Sequence, residues 1–120
     1  MNFLKGTKMS LSDKQQIFTR NIASLIVYAD ILEIKLTFGD AFRNEFTQKE
    51  YVRLGLSQTM NSYHLKRLAV DFNFFINGKL TYDKHKIAEL GAFWEQLHPD
   101  NKWGGNFVGF LDTPHFQMND

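Results

Sequence analysis

The chain has 120 residues, 43% of them hydrophobic and twelve of them Phe, which is enough apolar material for one small core and too much for a disordered segment. A formal net charge of +1, with no basic run longer than Lys66-Arg67, argues against a nucleic-acid binder. With no cysteine there is neither a disulfide framework nor a thiolate metal site.

Residues 1–9 read as a loose start without the apolar core of a signal peptide, and no run reaches membrane-spanning length. Ser10 or Ser12 can cap a helix predicted from about Asp13 to Ile31. Phe18, Ile22, Leu25, Ala29 and Leu32 recur at spacings of three and four and form its buried stripe. Glu33 to Phe38 alternates polar and apolar residues, the pattern of a half-buried strand, and Gly39-Asp40 follows as a turn signal. A short helix over Thr47–Leu54 ends at Gly55, and residues 55–63 form a loop into His64.

From Leu68 to Ile76 the chain reads as a strand, with Ala69, Asp71, Asn73 and Phe75 on one face. Asn77-Gly78 is a two-residue hairpin signal leading to a short strand over Lys79–Tyr82. A helix from Asp83 to about Leu97 buries Ile87, Leu90, Trp94 and Leu97; His85 on its polar side and His98 at its end are read as ordinary polar residues. Trp103-Gly104-Gly105 reads as a flexible aromatic loop, and Phe107 to Leu111 as a strand-like run delivering Asp112 and His115. The expected fold is α+β, a small antiparallel sheet with flanking helices.

Two segments carry chemistry. In Ser62-Tyr-His-Leu-Lys-Arg-Leu-Ala-Val-Asp71, His64 precedes a strand carboxylate, Asp71, by seven residues. In Phe110-Leu-Asp-Thr-Pro-His-Phe-Gln117, Asp112 lies three residues before His115, with Pro114 bending the chain between them. Two histidines and a carboxylate are a usual catalytic zinc set that leaves a fourth position for water. A further carboxylate beside them is what a zinc hydrolase needs as general base.

Ser62-x-His64-x4-Ala69-x-Asp71 followed by Asp112-x-x-His115 resembles the zinc D-alanyl-D-alanine carboxypeptidase and phage L-alanyl-D-glutamate endopeptidase family. That family shares its zinc-site architecture with lysostaphin-type peptidases and the hedgehog signalling domain. The Trp103-Gly-Gly-Asn-Phe run also resembles its phage members, and the likeness spans roughly residues 20 to 117.

The resemblance implies a hedgehog/DD-peptidase-like fold and a single zinc peptidase domain over 1–120. It implies Zn²⁺ held by His64, Asp71 and His115, Asp112 as general base, and Arg43 at the oxyanion or substrate. Ser62 and Trp103 are candidate substrate contacts; the alternatives are a turn serine bonded to backbone and a tryptophan packed beside a glycine turn. The family commonly has glycine where this chain has Arg67, and glycine there would permit a backbone conformation closed to arginine.

The implied function is hydrolysis of peptidoglycan stem peptides, as in a phage or prophage endolysin cutting L-alanyl-D-glutamate bonds. Alternatives are a D-alanyl-D-alanine carboxypeptidase and a non-catalytic zinc-binding interaction module. The expected setting is a monomer made in the bacterial cytoplasm without a signal peptide, released to the wall through a holin or another delivery system. Its partner is the stem peptide, with no nucleic acid and no membrane insertion.

Overall fold

The computed structural model describes residues 9–57 and 62–120, so the expected loose start (bar residue 9) and part of the loop into His64 lie outside the described residues. Helix α1, Leu11–Ile31, begins two residues earlier than its periodicity predicts because Ser10 is the cap. The Ser10 hydroxyl accepts the Asp13 backbone N–H at 3.1 Å, satisfying a donor the first turn would leave unpaired. Phe18, Leu25 and Ala29 of the stripe are buried, and Ile22 and Leu32 pack partly against the core.

Strand β1, Lys35–Phe38, is followed by α2, Glu45–Arg53, capped by Asn44. β2, Ala69–Ile76, turns through Asn77 and Gly78, both at positive φ (53° and 76°), into β3, Lys79–Thr81. Two successive positive φ values make the turn twist with its strands, which is why Asn-Gly works there. α3, Lys84–Leu97, leads to β4, Asn101–Trp103, a 3₁₀ turn over Gly104–Asn106, and β5, His115–Met118.

All pairings are antiparallel, in the order β1-β2-β5-β4, with β3 beside the far end of β2. Val70, Phe72 and Phe74 of β2 and Phe116 and Met118 of β5 face α1 and α3 and are buried. Trp94 joins the layers, its ring edge-on to Phe18 (5.5 Å between centroids) and to Phe116 (5.9 Å). Its indole N–H donates to the Gln117 carbonyl at 3.0 Å, so this core tryptophan leaves no polar atom stranded.

Three expectations are corrected. Phe107–Leu111 is not a strand: Gly109 takes φ 84°, which interrupts an extended ladder, and Val108 is fully exposed at 100%. The strand carrying the second histidine is β5, with Asp112 in the loop before it. Trp103 is not a groove wall; it is 1% exposed and its indole N–H donates to the Thr113 carbonyl at 2.8 Å. The glycines around it serve close packing, since a Cβ at Gly91 or Gly105 would overlap the Trp103 ring.

Finally, Arg67 does adopt the left-handed region, at φ 56°. The cost of that conformation, about 1 kcal/mol, is offset by its guanidinium lying 4.2 Å from the Phe42 ring centroid, a contact worth about 0.5–1 kcal/mol.

Candidate metal centre

Each side chain of the site is aimed by local backbone geometry. Asp71 lies in β2 between two partners. On one side its carbonyl accepts from Gly39 at 2.8 Å and its N–H donates to the Asp40 carbonyl at 2.7 Å. On the other it stands opposite His115 in the β2–β5 register. Cross-strand partners point to the same face, so Asp71 and His115 must meet. His64 comes from a tight turn, in which the Leu65 and Lys66 N–H groups bond back to the carbonyls of Ser62 and Tyr63 at 3.1 Å. The Ser62 hydroxyl accepts the His64 backbone N–H at 3.2 Å, so Ser62 orients the ligand turn.

These elements bring His64, Asp71 and His115 together. One donor atom from each lies within 4.8 Å of the others. Asp71 Oδ1 is 3.3 Å from His64 Nε2 and 3.1 Å from His115 Nδ1. The edge of a tetrahedron around zinc with ligand bonds near 2.0–2.1 Å is roughly 3.3 Å, so these spacings fit that ion. The outer ring nitrogens are already committed: His64 Nδ1–H donates to the Ala41 carbonyl at 2.8 Å, and His115 Nε2–H to Gln117 Oε1 at 2.7 Å. Neutral imidazoles so held turn lone pairs toward the carboxylate oxygen. In that tautomer two imidazole lone pairs and a carboxylate converge, a donor set that suits zinc; without the ion, His115 can instead donate to Asp71.

Burial alone would keep Asp71 protonated, but hydrogen bonds from His115 and His64, and their charge, hold its carboxyl well below the usual carboxylate range. Burial likewise opposes the charged form of His115, but the Asp71 hydrogen bond and charge outweigh it and raise its pKa in the metal-free chain.

Asp112 reaches the same cluster from the following loop, its Oδ2 3.9 Å from His115 Nδ1. Gly104 makes that approach possible: a Cβ there would overlap the Asp112 carbonyl, and Gly104 O accepts the Asp112 N–H at 3.0 Å. Burial pushes the Asp112 carboxyl up, with the Asp71 charge adding to the rise and the His115 charge opposing it. A carboxyl raised this way beside a cation site is placed to take and return a proton.

Arg43 is buried at the edge of the cluster, its Nη2 3.8 Å from Asp71 Oδ2. It donates to Asp40 Oδ2 from Nε (3.3 Å) and Nη2 (3.1 Å) and to Gln48 Oε1 at 2.8 Å, and lies 4.5 Å from the Tyr51 ring centroid. The sequence reading left out Asp40 and Tyr51, whose only signal was proximity to Arg43, and Gln117, which alternation from His115 would have placed on the same strand face.

All of these except Gln48 line an open cleft of about 560 Å³, walled on its other side by Leu56, Phe107, Val108 and Phe110. Ser62 is also at its edge, whereas Trp103 is not.

A family model described as D-alanyl-D-alanine carboxypeptidase matches residues 56–118, which hold the three converging side chains and Asp112. The chain belongs to that family. It is 33% identical over 99 residues to the L-alanyl-D-glutamate peptidase of Listeria phage A118, a match covering 79% of this chain. The chain spans 34% of the length of that relative. Its fold is similar to the crystal structure of the L-Ala D-Glu endopeptidase ChiX of Serratia marcescens, with a TM-score of 0.71 and 26% identity over 85% of this chain and 77% of that one. Among the described residues, no helix is long and apolar enough to cross a membrane.

Proposed function

We propose that this chain is a zinc-dependent peptidase that hydrolyses peptidoglycan stem peptides at the L-alanyl-D-glutamate bond. The observation that carries the reading is the convergence of His64, Asp71 and His115 at zinc-ligand spacing with Asp112 alongside, in a cleft open to a polymer. The L-alanyl-D-glutamate names of the phage and Serratia relatives support this bond.

His64, Asp71 and His115 would hold the ion. When bound, zinc supplies Lewis acidity toward water and the peptide carbonyl. Asp112 accepts the proton released when water attacks that carbonyl, and returns it to the leaving amine. Arg43, anchored by three N–H bonds to Asp40 and Gln48 at the cleft, would turn its charge toward the developing oxyanion. The apolar wall of Leu56, Phe107 and Phe110 suits the small alanyl side of the bond. Acting on the wall, the protein meets its substrate after release from the cell.

Digestion of purified peptidoglycan, read by mass spectrometry with and without chelator, tests the reading. New N-terminal D-glutamate, lost with chelator and restored by zinc, is expected. Release of terminal D-alanine would replace this bond with that of a carboxypeptidase. No product despite bound zinc would make the chain a non-catalytic zinc module.

A further inference from the structure

The two histidines of the centre are braced differently. His64 Nδ1–H is held by a backbone carbonyl, that of Ala41, which no substitution removes. His115 Nε2–H is held by a side chain, Gln117 Oε1, at 2.7 Å. An amide has two ends. Turned over, it would offer an N–H to Nε2, force the proton onto Nδ1 and block the nitrogen that faces Asp71. Something must fix which end is presented, and the neighbour that does so is Asn119: Gln117 Nε2 donates to Asn119 Oδ1 at 2.7 Å. The Asn119 backbone is held in place beside it, its N–H donating to the Asp100 carbonyl at 2.7 Å and its carbonyl accepting Lys14 Nζ at 2.7 Å.

We infer that Gln117, oriented by Asn119, is a positioning residue that sets the tautomer of His115 and so tunes how tightly the centre holds its metal. The inference rests on the zinc reading above. Gln117 is not one of the three converging donors; it acts through the ring it braces. Its backbone does separate work, the carbonyl accepting the Trp94 indole N–H, so the side chain can be changed without removing that core anchor.

The test is the zinc affinity of the full chain, measured by competition with a chromophoric chelator, for wild type, Gln117→Leu and Gln117→Glu. Thermal unfolding of each chain and the His115 Nε2–H resonance of the zinc-loaded protein accompany it. Gln117→Leu, which removes the acceptor, should fold yet bind zinc about 10- to 100-fold more weakly, with the Nε2–H signal lost to solvent exchange. Gln117→Glu keeps an acceptor and should stay within about threefold of wild type, since a carboxylate is the commonest partner of a zinc-bound histidine. Asn119→Ala should shift affinity in the same direction as Gln117→Leu, by less.

Equal zinc affinity and an unchanged Nε2–H signal in Gln117→Leu would overturn the inference alone. So would an equal loss in Gln117→Leu and Gln117→Glu, which would mark a packing role. A wild-type chain that takes up no zinc would overturn the metal centre and the inference together.

Discussion

β2 and β5 present two faces that differ in everything except their backbone. Toward the helices, Val70, Phe72, Phe74, Phe116 and Met118 are packed among aromatic rings. One residue away in each case, Asp71, His115 and Gln117 face the cleft. A strand alternates sides with period two, so one ladder carries both the stability of the domain and its donor atoms. The difference teaches how the site is tied to the core: Asp71 and His115 sit on the same ladder whose other face is packed behind them. A mutation on one face should therefore read out in a different currency from a mutation on the other.

The largest effect belongs to the cleft face. His115→Ala should lose zinc and, with it, essentially all hydrolysis, as measured by metal content and release of new amines. Asp112→Ala should retain zinc and lower kcat by about 10²- to 10⁴-fold; full activity in that variant would remove Asp112 as the base. Neither should unfold the domain.

Phe116→Ala, on the opposite face of the same strand, should cost about 3–5 kcal/mol in urea unfolding, because its ring is fully buried against Phe72, Phe74 and Trp94. If Asp71→Asn destabilised the metal-free chain as much as Phe116→Ala does, the division between the faces would collapse.

pH sharpens the contrast further. In the metal-free chain the folded pKa of His115 is raised above its ordinary 6.5. Its pairing with Asp71 therefore adds stability below that value, and the gain is lost as pH rises through the folded pKa. Zinc reverses the sign, because it binds neutral imidazole and its affinity grows as the proton leaves. Melting temperatures across this window should fall for the metal-free chain and rise for the zinc-loaded one. Parallel trends would contradict the ligand role of His115. On the acid side, activity should fade at a pH above the ordinary carboxyl value of 3.8, since Asp112 is raised and must be ionised to act as base.

The smallest effect lies outside both faces. Arg67→Gly removes a strained φ and a ring contact of similar size, so stability should change by less than about 1 kcal/mol. A larger loss in thermal unfolding would mean that the Phe42 contact does more than offset the strain.

Much of this was written locally. The stripe of Phe18, Leu25 and Ala29 called α1, Asn77-Gly78 called the hairpin, and the alternation through Val70, Asp71 and Phe72 called β2 and its faces. His64, Asp71, Asp112 and His115 stood out because two motifs, each weak alone, together resemble those of a peptidase family, and motifs are visible in one dimension. What neighbours in space decide was not visible. Phe107–Leu111 is apolar enough for a strand, but among the described residues no strand pairs with it, and it is an exposed loop at the cleft. Trp103 reads equally as a substrate contact or as a packed tryptophan beside a glycine turn until Gly91 of α3 is brought against its ring. Arg67 reads as a misfit until Phe42 lies beneath it.

By itself, then, the sequence determined α1, β1, α2, β2 and its hairpin, α3 and the candidate donor residues, because periodicity and side-chain chemistry are local properties. Only the tertiary structure decided which atoms converge, which ring nitrogen faces Asp71, and that Gln117 and Ala41 hold the two imidazoles, because those outcomes depend on strand register and on packing between residues far apart in the chain.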